Sequence, residues 1–119
     1  MTDSAKQDYQ EKLNFYDKLL ATHPDIERKG KNMLYTSVNG HMFTYFSQEG
    51  VLGIRLSKED QEAFVVQYNT PPFVQYGAVM RGYVTVPDEL LQNMNELKPY
   101  LALSYNYVLS LKPKLSRKK

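Results

Sequence analysis

No cysteine occurs among the 119 residues. Structural disulfides, thiolate metal sites and cysteine nucleophiles are excluded together, and the composition fits a reducing compartment. Long apolar runs are missing too: no segment approaches the ~20 apolar residues that a spanning helix requires. The opening Met1-Thr2-Asp3-Ser4-Ala5-Lys6-Gln7-Asp8 has no apolar signal core. The expectation is a cytoplasmic protein without membrane contact. Catalytic signatures are also scarce. There is no G-x-S-x-G elbow, no G-x-G-x-x-G and no phosphate loop. A zinc site needs three or four converging ligands. The two histidines, His23 and His41, have no ligand-type neighbour at helical or hairpin spacing. The expectation is no catalytic residue, no cofactor and no metal, hence a non-enzymatic protein.

What is present suits one domain. A chain of this size can bury roughly two-thirds of its unfolded surface, enough for a core without staples. The net charge is +2, and residues 112–119 supply five cations (Lys112, Lys114, Arg117, Lys118, Lys119) and no acid. Taking those five from +2 leaves residues 1–111 at −3. Residues 1–111 therefore read as the folded domain and 112–119 as a solvated, disordered basic tail. A nucleic-acid module concentrates positive charge on its folded surface. Here such contact is expected only weakly, through the tail.

The chain divides into alternating period-3.6 and period-2 segments. Tyr9, Leu13, Tyr16 and Leu20 make one stripe of a helix over 4–22, with Asp3 or Ser4 as cap and Pro24 as stop. Three strands follow, at Met33–Val38, His41–Phe46 and Val51–Leu56. The first two are joined by Asn39-Gly40, the pair that favours a type I′ hairpin because both residues take positive φ. Ser57-Lys58-Glu59-Asp60 opens a second helix as an approximate capping box, and Thr70-Pro71-Pro72 ends it. Phe73–Tyr76 and Met80–Val86 form another strand pair around Gly77. Pro87–Leu91 is one helical turn. The last helix begins between Asn93 and Lys98, since Pro99 belongs in a first turn, and runs to Leu111 on the face Leu97, Leu101, Ser104, Val108. The fold class is α+β: a two-layer, five-stranded, mostly antiparallel sheet with helices on one face, in the order α-β-β-β-α-β-β-α.

Glu59, Asp60 and Glu62 are placed where a helix's first turns favour acids, and read as a solvated face. The open face of the sheet is the better candidate. With Leu52, Ile54, Val84 and Val86 under the helices, alternation turns Phe43, Tyr45, Val51, Arg55, Arg81 and Tyr83 away. Tyrosine, arginine and aliphatics together suit a protein interface. The alternatives are a cover formed by the first helix or the tail, or a plain exposed sheet.

An ordered series of segments resembles the N-terminal domain of the TfoX family of bacterial competence regulators. It runs through Lys31-Asn32-Met33, Asn39-Gly40-His41-Met42-Phe43, Gly50–Leu56, Asp60–Phe64, Pro72-Phe73, Gly77–Pro87 and the helix Leu97–Leu111, ending in Lys112-Pro113-Lys114. The chain departs from the family's Met-Phe-Gly with Met33-Leu34-Tyr35, and ends before the second, helical domain of full-length members. The resemblance implies a stand-alone regulatory or interaction module with no established catalytic residues. Some members are labelled methyltransferases, and no glycine-rich cofactor loop here supports that label. The expected function is non-enzymatic, through a protein partner or homodimer that uses the sheet. The alternative is a small anionic ligand, or a low-motif enzyme, using Arg55 and Arg81.

Overall fold

The computed structural model describes residues 2–31 and 34–113, the side chains of 2–6 excepted. Met33 of the expected first strand and residues 114–119 of the basic tail lie outside the described residues. The elements are α1 (Thr2–Ala21), β1 (Leu34–Val38), β2 (His41–Phe46), β3 (Leu52–Arg55), α2 (Lys58–Tyr68), β4 (Pro72–Gln75), β5 (Ala78–Val86), α3 (Asp88–Leu91) and α4 (Met94–Ser110). The sheet order is β1-β2-β3-β5-β4, every pair antiparallel. The helices cover one face, in the two-layer arrangement read from the sequence.

Local chemistry sets most boundaries. Asn39 and Gly40 take φ of 60° and 80°, closing the β1–β2 hairpin. The Asn39 amide also donates to the carbonyls of Val108 (3.0 Å) and Leu111 (2.9 Å), so the turn caps the last turn of α4. Ser57 caps α2 by accepting from the Asp60 N–H, and Asn69 ends it in the left-handed region. Asn93 caps α4, accepting from the Glu96 N–H while its own amide donates to the Glu96 carboxylate. Two expectations need correction. Helix α1 starts at Thr2, ahead of Asp3 and Ser4, so neither stands at a cap. Pro99 is in the second turn of α4, not the first. It removes the hydrogen bond that the Asn95 carbonyl would accept, a loss that is tolerable because both residues face solvent.

The core lies between sheet and helices. Tyr16, Leu19 and Leu20 of α1, Phe64 of α2, Leu90 and Leu91 of α3 and Leu97, Leu101 and Val108 of α4 close over Phe46, Leu52, Ile54, Val84 and Val86. Tyr16 stacks on Phe46 with ring centres 5.1 Å apart. Its hydroxyl bonds Thr44 Oγ1 at 2.7 Å, and Thr44 bonds Thr36 Oγ1 at 2.6 Å. All three residues are fully buried, so this chain of hydroxyls satisfies itself inside the core. None of the helices among the described residues is long and apolar enough to cross a membrane.

Two irregularities shape the sheet. In the β1–β2 ladder Thr36 faces Thr44 and Ser37 faces Met42, so Phe43 has no partner. This bulge turns Phe43 into the helix-covered core, where Ser104 Oγ donates to its carbonyl. Strict alternation, which places Phe43 on the open face, fails here. In the β4–β5 ladder, β4 advances from Pro72 to Val74 while β5 runs from Val84 to Val79. Strand β5 therefore makes a detour through Met80–Tyr83, with Gly82 at φ +89°.

Both rims of the sheet are partly covered. On the β1 side, Lys29 and Tyr35 exchange backbone hydrogen bonds of 2.8 and 3.0 Å. On the β4 side, Pro72 brings no N–H, and the Gln75 amide donates to the Val74 carbonyl at 2.7 Å.

Candidate functional site

The middle of the sheet face away from the helices is covered by the chain itself. Phe73 projects from β4 across β5 onto Gly53 of β3, so near that a Cβ at position 53 would stand 2.6 Å from the ring. Phe73 packs edge-on to Tyr45 (5.9 Å) and stacks with Tyr83 (6.1 Å). Phe73 and Tyr45 are buried yet stand outside the main core cluster, forming a second, smaller one. Among the described residues the cover is Phe73 and not the first helix, one of the two covers the sequence suggested; residues 114–119 of the tail, the other, lie outside the described residues. A glycine inside a strand marks a close approach, and Gly53 between Leu52 and Ile54 was the available signal.

This closure redistributes the six residues that alternation grouped together. Phe43 is in the core. Tyr45 is buried beneath Phe73; burial raises its pKa first, and hydrogen bonding to Tyr76 adds to the shift. Tyr83 is half-buried and donates its hydroxyl to the Met42 carbonyl at 2.9 Å. Burial raises the Tyr83 pKa well above the usual phenol range, with Arg55 opposing. Arg55, opposite Tyr83 in the register, has its guanidinium 5.8 Å from the centre of the Tyr107 ring of α4. Val51 lies in the β2–β3 turn, exchanging hydrogen bonds with Ser47. Arg81 alone of the six is exposed, and it makes no ion pair among the described residues.

Exposed apolar surface gathers elsewhere, on α2 and the β4–β5 hairpin. Val65 (43% exposed), Val66 (85%), Val74 (47%), Val79 (57%) and Tyr76 (80%) are all there. Val74 and Val79 are cross-strand partners and so share a face. Val79 and Val65 both line a groove of about 430 Å³ between α2 and the β5 detour, together with Thr70, Pro71, Pro72 and Arg81. Sequence patterning misses this surface because it puts Phe64, Val65 and Tyr68 together on the buried side of α2, whereas Val65 is exposed. Of those three, Phe64 alone is buried, packed against Tyr68 and Tyr100.

The histidines serve local structure. His23 accepts the Asp25 N–H at Nδ1 and packs on Tyr105, with ring centres 4.4 Å apart. His41 Nε2 bonds the Lys112 carbonyl at 2.9 Å. Among the described residues, no three histidine or acidic side chains gather as a metal site requires. Neither a known protein-family model nor a curated protein matches this chain.

Proposed function

We propose that the chain is a non-enzymatic interaction module of the TfoX N-terminal type, acting in the cytoplasm and associating with a second copy of itself. The supporting observation is the strip Val65–Val79–Val74, exposed apolar surface running from α2 onto a projecting hairpin. Exposed apolar residues scattered singly need no explanation, whereas a contiguous patch marks a contact surface. Since both sheet rims are partly covered, by the Lys29–Tyr35 bridge and by Pro72 with the Gln75 amide, pairing runs face to face through this strip. A two-fold arrangement would set the strip of one copy on the same strip of the other. Nucleic acid enters this reading only as a weak, salt-sensitive contact of the basic tail.

Sedimentation velocity across the micromolar range tests the proposal. A dimer is expected for the wild type, with Val79→Asp and Val74→Asp shifted to monomer at unchanged far-UV circular dichroism. A wild type that remains monomeric throughout, or a dimer that ignores both substitutions, overturns it.

A further inference from the structure

The groove between α2 and the β5 detour has a polarity that self-association leaves unused. Its walls are apolar: Val65 from α2, Pro71 and Pro72 from the linker, Val79 and Val84 from β5. One cation stands at this lining, the exposed Arg81, with no carboxylate partner among the described residues. The buried Thr70 hydroxyl lines the same groove and has no hydrogen-bond partner. The other polar groups nearby are occupied. Gln61 donates its amide to the Leu56 carbonyl, and Tyr83 donates to Met42. An apolar trough with a single unpaired guanidinium is complementary to a molecule with a hydrocarbon body and a planar anionic end. Arginine's fork matches a carboxylate in two parallel hydrogen bonds. The volume, about 430 Å³, is in the ordinary range for small-molecule sites.

We infer that this groove binds an amphipathic carboxylate, an aliphatic or aryl acid whose anionic end pairs with Arg81 and whose body lies along Val65 and Val79. Arg55, the other arginine singled out in the sequence, takes no part, because it is engaged with Tyr107. The detour in β5 is what makes the site. A regular ladder would set Arg81 against β4 without the gap, and Gly82, at φ +89°, supplies a backbone conformation that side-chain-bearing residues avoid. The inference goes beyond the self-association reading and holds for a monomer, although Val65 and Val79 belong to both surfaces.

The experiment is a titration of the full chain with octanoate, followed by methyl NMR at a concentration where light scattering reads monomer. Saturable shifts are expected at the Val65 and Val79 methyls. Acetate, without the body, and octan-1-ol, without the charge, should each bind more weakly. Arg81→Gln should weaken octanoate by about tenfold, the loss of one charge-assisted pair. Arg55→Gln should leave it unchanged. Arg81 is exposed, so its variant keeps its fold, which circular dichroism verifies. Failure of the wild type to saturate, shifts confined to another face, or equal binding by Arg81→Gln overturns the assignment. The two proposals fail separately. A persistent dimer without octanoate saturation removes only the groove, and a strict monomer that binds octanoate removes only the self-association.

Discussion

The ring of Phe73 rests on the backbone of Gly53, two strands away in the sheet, at a distance that leaves no room for a methyl group. Gly53→Ala must displace a ring that is itself wedged between Tyr45 and Tyr83. Overpacking of this kind costs about 1–3 kcal/mol. Phe73→Ala empties the site and should cost about 3–5 kcal/mol. The double variant should lose less than the sum, because the new methyl then meets a cavity and not a ring. Urea unfolding of the four proteins measures all three values.

Asn39 has two jobs, a positive φ and a pair of amide donations to α4. Asn39→Gly keeps the first and loses the second, and should cost about 1–2 kcal/mol. Asn39→Ala loses both and should cost more. Asn39→Asp retains the turn but points an acceptor at two carbonyls, so it should be worse than glycine above pH 5. Thermal denaturation of the three variants ranks them.

Tyr16→Phe removes one hydroxyl from the Tyr16–Thr44–Thr36 chain and should cost about 1 kcal/mol, since Thr44 keeps Thr36. Thr44→Val should cost about 2 kcal/mol or more, because it strands two hydroxyls inside the core. Denaturant midpoints at constant m distinguish this from a change in the unfolded state.

Burial raises the pKa of Tyr16 first, with the Thr44 bond and Arg28 opposing, and burial likewise raises that of Tyr83. The native state therefore holds protons that the unfolded chain releases above its ordinary phenol value of about 10. The stabilising contribution is complete below that pH and is lost as pH rises toward the folded values. Each such tyrosine should steepen the loss by about 1.4 kcal/mol per pH unit. Unfolding free energies between pH 9 and 11.5 should show the slope, and Tyr16→Phe should reduce it by about one proton.

Pro99→Ala should stabilise the domain. It restores an N–H to the Asn95 carbonyl in an exposed part of α4, a gain of up to about 3 kcal/mol. The greater freedom of the unfolded chain takes back about 0.4–1 kcal/mol. A rise in the thermal midpoint is the expected reading, and an unchanged or lower midpoint counts against it.

The order of elements was legible because its signals are local. Asn39-Gly40 sets a turn, Ser57 caps a helix, and Leu52 and Ile54 alternate with Gly53 whatever the rest of the chain does. The candidate surface was not legible because its determinants are distant. Phe43 leaves the alternation through a bulge whose carbonyl is held by Ser104 of α4, sixty-one positions away. Phe73 covers Gly53 only because β5 is inserted between β3 and β4. Arg81 and Arg55, equivalent by alternation, are separated by Tyr107, whose ring claims one of them. Pairwise packing across an unknown strand order decides such matters, and periodicity does not encode it.

The strap at Lys29 and the amide of Gln75 have a consequence for the molecule in a crowded solution. At each flank an incoming strand would meet an interrupted ladder, with Tyr35 already paired on one side and the Val74 carbonyl taken and Pro72 without an N–H on the other. Such interruptions disfavour open-ended edge-to-edge stacking at high abundance.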